Sequence, residues 1–252
     1  MGKNEIGLKI KTGKINIEIP TETVVNTKGE EIIIDIREAD KDEVQETNEL
    51  IIQLATGAEV VTKPLVVETN YSGRTELILP LEDIEIPENE TERQEFLQSL
   101  MVFVQHSDGE NKLERGELQY DKDGNITGIS IWVDRFSTFT LIKNPNLLTT
   151  FEGKKSKSSN EVMANKIWKI RFNKSIASND IDRKIIVLDH EGNIFNTVIE
   201  VIDKRVRVIP LSYYDCDETY YLIIYDNVSS SKGETLSNSI CIEFRISGNP
   251  LQ

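Results

Sequence analysis

Hydrophobic and polar residues alternate along most of this chain with a period of two. Ile6, Leu8 and Ile10 are interleaved with Gly7, Lys9 and Lys11, and Ile15, Ile17 and Ile19 with Asn16 and Glu18. Successive side chains of a strand point to opposite faces, so the pattern predicts half-buried β-strands. Further β-rich runs fall at 30–37, 49–55, 63–69, 75–81, 99–106, 114–120, 126–133 and 138–143. The alternation stops over 144–159, NPNLLTTFEGKKSKSS. It resumes with Trp168, Ile170 and Phe172 and with runs at 184–189, 196–202, 205–210, 219–226 and 239–246.

Many short strands separated by turn residues predict an all-β protein of two β-sandwich domains. The first spans 1–145 and the second 161–252, with a linker over 146–160 whose Leu147–Phe151 cluster packs on a neighbour. The strands of the second fit an immunoglobulin-like sandwich, a fold whose termini tend to lie at opposite ends so that copies can be chained. One short helix is predicted in the first domain, where Thr91 and Gln94 have capping-box spacing. The acidic run 37–49 reads as a solvated loop or surface helix.

Charge separates the two parts. Residues 1–145 hold 15 Lys+Arg against 29 Asp+Glu, and residues 146–252 hold 14 against 14, so the whole net charge of −14 lies in the first. Such a surface repels phosphate backbones and anionic lipid, which argues against nucleic acid or membrane as partners. No apolar run is long enough to span a bilayer, and the opening residues lack a signal-peptide core. Cys216 and Cys241 have no metal-ligand spacing, and the proposed hairpin puts them out of register for a disulfide.

The stretch YDKDGNITGI, 120–129, places Asp121, Asp123 and Asn125 like the first ligands of a calcium loop. The sixth and twelfth positions, however, are Ile126 and Trp132, where that loop needs Gly and Glu. As a hairpin the stretch is complete: Gly124 or Asn125 takes positive φ, and Ile129, Ile131 and Val133 share the next strand's face. The runs at 26–34 and 188–198 repeat the device.

Catalytic chemistry is thinly supplied. The two histidines, His106 at a strand end and His190 in a turn, read as surface residues without a nucleophile motif. No phosphate-binding glycine loop or zinc motif is present. With 43 acidic residues, no carboxylate pair stands out. An apolar feature does. In TYYLIIYD, inward Tyr220, Leu222 and Ile224 leave Tyr221, Ile223 and Tyr225 facing outward, a candidate contact surface for another domain, a protein or a sugar ring. Its alternative is packing beneath neighbours such as Arg245.

From Glu161 to Gly248 the chain resembles the bacterial Ig-like domains of S-layer and other Gram-positive surface proteins. The matching stretches are IWKIRFNKSI (167–176), IIVLDHEGN (185–193), VRVIPLSYY (206–214), TYYLIIYDNVSSSKGETL (219–236) and IEFRI (242–246). It departs from that pattern at Asp215-Cys216-Asp217-Glu218, where the family has glycine. The first part is similar to the non-catalytic β-sandwich that accompanies S-layer-homology and Ig-like modules, through GAEVVTKPLVVETNY (57–71), LILPLED (77–83), LMVFVQHSDGENKLE (100–114) and ISIWVDRFSTFTLIK (129–143).

The resemblance implies a cell-surface spacer or assembly module without catalytic residues or cofactor. Its partners would be other domains of the parent protein, cell-wall polysaccharide or a host protein, and the chain would be a fragment of a longer secreted protein. The alternatives are a carbohydrate- or protein-binding module using Tyr221 and Tyr225, and an accessory piece of a polysaccharide-active enzyme.

Overall fold

The computed structural model describes residues 6–21, 31–158 and 160–248. The expected turn at 26–34 lies mostly outside them. Strand accounts for 43% of the chain and helix for 12%, so the all-β class holds. The chain divides into two compact units, Met1–Asn144 and Pro145–Gln252.

The first unit contains β1 (Ile6–Lys11), β2 (Asn16–Pro20), β3 (Ile34–Glu38), α1 (Lys41–Leu54), β4 (Glu59–Val60), β5 (Leu65–Thr69), β6 (Thr75–Pro80), α2 (Glu90–Ser99), β7 (Leu100–Gln105), β8 (Asn111–Glu114), β9 (Glu117–Tyr120), β10 (Ile126–Val133) and β11 (Thr138–Lys143). One sheet has the order β1-β2-β6-β10-β9. The other has β3-β5-β11-β7-β8, with β4 also on β11. Alternate residues of both enter one core: Ile17, Leu77, Leu79, Ile129 and Ile131 from the first, and Leu65, Val67, Val102, Val104, Phe139 and Leu141 from the second.

Two helices stand where a single short one was expected, and ELIIQLA (49–55) is helix rather than strand. Local chemistry explains this. Asp40 accepts from the amides of Asp42 and Glu43, while Glu43 reaches back to the Asp40 amide, a complete capping box. Helical spacing then puts Thr47, Ile51 and Ala55 on one buried face. That face has work to do: Met101, Phe103 and Ile142 point away from the core and are still buried. Helix α1 lies on their side of the sheet, with Thr47 Oγ1 2.9 Å from Gln105 Oε1. Helix α2 starts two residues before the expected box, capped by Asn89.

The second unit contains β12 (Lys154–Lys157), β13 (Trp168–Arg171), the single-turn α3 (Ile181–Lys184), β14 (Ile185–Leu188), β15 (Ile194–Phe195), β16 (Thr197–Ile202), β17 (Arg205–Pro210), β18 (Thr219–Ile224) and β19 (Ile240–Arg245). The sheets run β12-β19-β18-β14-β15 and β13-β17-β16. Val187, Leu222, Ile224 and Phe244 from one, and Val206 and Val208 from the other, share a core with Tyr214 and Tyr220. Part of the expected linker, 154–157, is a strand of this unit, parallel to β19.

The chain comes into and leaves this unit at the same end. Asn146 donates to the Glu191 carbonyl (2.8 Å), in the turn that follows β14. Arg245, at the far end of β19, approaches Asp217, whose carboxylate also crowds Gly248. His190 lies 3.5 Å from Glu218 at that same end. The expectation of termini at opposite ends is therefore corrected: residues 146–153 first run back across the sheet before β12 begins.

Candidate functional site

A cavity of about 510 Å³ opens in the first unit, lined by Tyr71, Gln105, His106, Arg135, Phe136 and Ser137 among others. The ends of β5 and β7 and the β10–β11 connection converge there. His106 is held in place by a five-residue turn: its amide donates to the Glu110 carbonyl, and Gly109, at φ 89°, donates back to the His106 carbonyl. Expected at the surface, His106 is only 7% exposed. A lone histidine ending a strand gave no sign of this, because its partner Ser137 lies 31 positions away.

Inside the cavity His106 and Ser137 meet, while the buried Tyr71 hydroxyl has no hydrogen-bond partner among the described residues. Ser137 Oγ lies 2.5 Å from the Phe136 carbonyl oxygen and 2.7 Å from His106 Nδ1, with which it shares a hydrogen bond. Burial, reinforced by the Arg135 charge, holds the imidazole below its ordinary pKa and favours the neutral form. Arg135 binds Asp108 at 2.5 Å and also Glu110; the Glu110 amide and then Arg135 hold the Asp108 carboxyl below the usual range, and Lys112 and then Arg135 do so for Glu110. The Tyr71 ring meets Phe136 edge-on, with centroids 6.5 Å apart. This geometry offers aromatic surface and hydrogen-bonding edges.

The stripe expected on β18 is not an open surface. Ile223 is fully buried, and Tyr221 and Tyr225 are half-buried. The reason is the segment 146–153. Asn146 anchors it at the Glu191 turn, Leu147 and Phe151 are buried, and the Phe151 ring lies 6.4 Å from Tyr225. At its other end Gly153 closes on the Ser239 carbonyl so tightly that a Cβ would stand 2.5 Å from it. Tyr221 pairs across the sheet with Glu243, which in turn binds Lys157 of β12. Arg245, offered as a cover, instead approaches Glu161 and Asp217. Cys241 is buried on the stripe's face, where burial raises its thiol pKa, and both cysteines are free thiols.

The loop at 121–125 is a hairpin turn between β9 and β10. Asp121 Oδ1 accepts from the amides of Asp123 and Asn125 (2.8 Å each) and Oδ2 from the Asn125 side chain (3.0 Å), with Gly124 at φ 85°. Asp189, Glu191, Gly192 and Asn193 repeat the arrangement. In both copies the first aspartate is engaged by its own loop. His190, in the second copy, is exposed as expected.

Compared with models of known families and with characterised proteins, the chain matches none.

Proposed function

We propose that this chain is a non-catalytic structural module of a Gram-positive cell-surface protein of the S-layer or adhesin type, built from two β-sandwiches. Several features support the finer fold reading. In each unit two sheets feed one core, and the second unit's strand order is that of an Ig-like domain whose first strand joins the sheet of its last. Of spacing and assembly, we favour assembly: Asn146 and Gly248 lie at the same end of the second unit, which does not suit end-to-end chaining of copies of that unit.

The observation that carries the reading is the strand order of the second unit, in which β12 joins the edge of the sheet that holds β19. Display at the surface is tested by protease treatment of intact source cells. The expected result is release of fragments recognised by an antibody to this chain. Recovery of intact protein from the cytosolic fraction alone would contradict it.

The binding-module alternative keeps one favourable observation, the Tyr71–Phe136 pair beside hydrogen-bonding side chains. On that reading a sugar ring stacks in the cavity rather than on Tyr221 and Tyr225. A glycan array in which Phe136→Ala abolishes a saturable signal would favour it over the structural reading.

A further inference from the structure

The outward face of the three-stranded sheet in the second unit is cationic. Inward positions Trp168, Ile170, Val206, Val208, Ile199 and Val201 belong to the core or pack against it, so the alternate positions face out. The register sets Lys169 opposite Arg207 and Glu200 in one row, and Arg171 opposite Arg205 and Ile202 in the next. Neighbouring strands lie about 5 Å apart and successive same-face rows about 7 Å apart, which makes a compact grid.

Arg207 is compensated by Glu200 at 2.6 Å. Among the described residues, Lys169, Arg171 and Arg205 have no acidic partner, and all three are exposed, as is Ile202 at 60%. Like charges directly opposite across a sheet are destabilising. Folding of this chain leaves the Arg171–Arg205 pair uncompensated.

The opposite charge stands unpaired on the first unit. Glu82, Asp83, Glu85, Glu88, Glu92 and Glu95 are all exposed, and none has an ion pair among the described residues. Glu88 immediately precedes the Asn89 cap, and Glu92 and Glu95, three apart within α2, are neighbours on its surface. One turn advances 5.4 Å, close to the spacing of the cationic grid.

Resting on the structural-assembly reading above, we propose that the basic sheet face of one copy docks on the acidic 82–95 segment of a second copy. Each copy carries one surface of each kind, so the contact links copies either reciprocally in a closed pair or head-to-tail in rings and filaments. Ile202 and Val198, both exposed, give the basic face an apolar margin. Single exposed ion pairs contribute little each, so the contact depends on the group acting together and weakens with salt.

The test is sedimentation of the purified full chain over a wide concentration range, at about 0.01 M and about 1 M salt, where screening lengths are about 30 Å and 3 Å. At low salt the average mass is expected to rise with concentration from the 28.7 kDa monomer to the dimer or beyond, and to return to the monomer at high salt. Arg171→Gln with Arg205→Gln, and separately Glu88→Gln with Glu92→Gln and Glu95→Gln, each remain monomeric. Their unchanged circular dichroism shows that they fold. Mixed, the two variants form 1:1 pairs and nothing larger, because each retains one working face.

Monomers throughout would overturn the proposal, including the case where heparin binds the basic face and marks it as a site for a soluble polyanion. So would assembly that both variants leave intact. Because the protein is purified, failure here leaves surface display untouched, and a cytosolic location would leave the pairing intact.

Discussion

His106 Nδ1 stands 2.7 Å from Ser137 Oγ, which also lies 2.5 Å from the Phe136 carbonyl oxygen. Burial, with the Arg135 charge, disfavours the imidazolium. Its pKa is depressed in the folded state, so the unfolded chain binds its proton more readily. Stability from this group is complete above the ordinary histidine value of about 6.5 and is lost as pH falls through the lower folded value. Urea unfolding between pH 7.5 and 5 should show this loss in the wild type and a shallower one in His106→Gln.

The Asp40–Glu43 capping box gives a second prediction. Arg37 binds Glu43 through both guanidinium nitrogens and, with the Asp40 amide, holds its carboxyl down to about 2. Stabilisation by this group is present above its unfolded value of 4.5 and disappears as pH falls toward 2. Asp40→Ala should cost about 1 kcal/mol at neutral pH, the usual worth of an N-cap. Glu43→Gln should lower the melting temperature at pH 7 and leave it nearly unchanged at pH 2.

Gly124 and Gly192 occupy the same place in two like turns, at φ 85° and 88°. A Cβ at Gly124 meets nothing, whereas at Gly192 it would stand 2.2 Å from the Asn146 side chain. Gly124→Ala should therefore cost about 1 to 2 kcal/mol of backbone strain. Gly192→Ala should cost more, and adding Asn146→Ala should recover part of the difference. Chemical denaturation of the four proteins measures it.

Ile223 separates packing from recognition. Buried as it is, Ile223→Ala should cost about 2 to 5 kcal/mol in the unfolding of the second unit. An unchanged midpoint would return the β18 stripe to the surface.

Much of this architecture was legible in the period-two pattern, because each half-buried strand writes its own inward and outward residues. The runs at 126–133, 138–143 and 205–210 match their strands end to end. What escaped were elements whose role is set by a distant neighbour. LMVFV and IIVL are apolar without alternation, which signals cover on both faces. The covers were present in the sequence as D-x-x-E at 40–43 and as Leu147 and Phe151. The first read as a charged loop or surface helix running into a strand, the second as a linker.

The candidate cavity was illegible for the same reason. His106 and Ser137 meet only because β7 and β11 are neighbours in the sheet. Opposed charges at Arg171 and Arg205 likewise follow from register, which no local pattern reports.

The account turns on residues 146–158 being part of the second unit, closing the face that carries Tyr221, Ile223 and Tyr225. Urea unfolding of a fragment spanning 145–252, set against one spanning 160–252, measures this directly. The longer fragment is expected to unfold in one cooperative transition, and the shorter to be markedly less stable and to bind a hydrophobic dye. Equal stability of the two, with no dye bound, would contradict it.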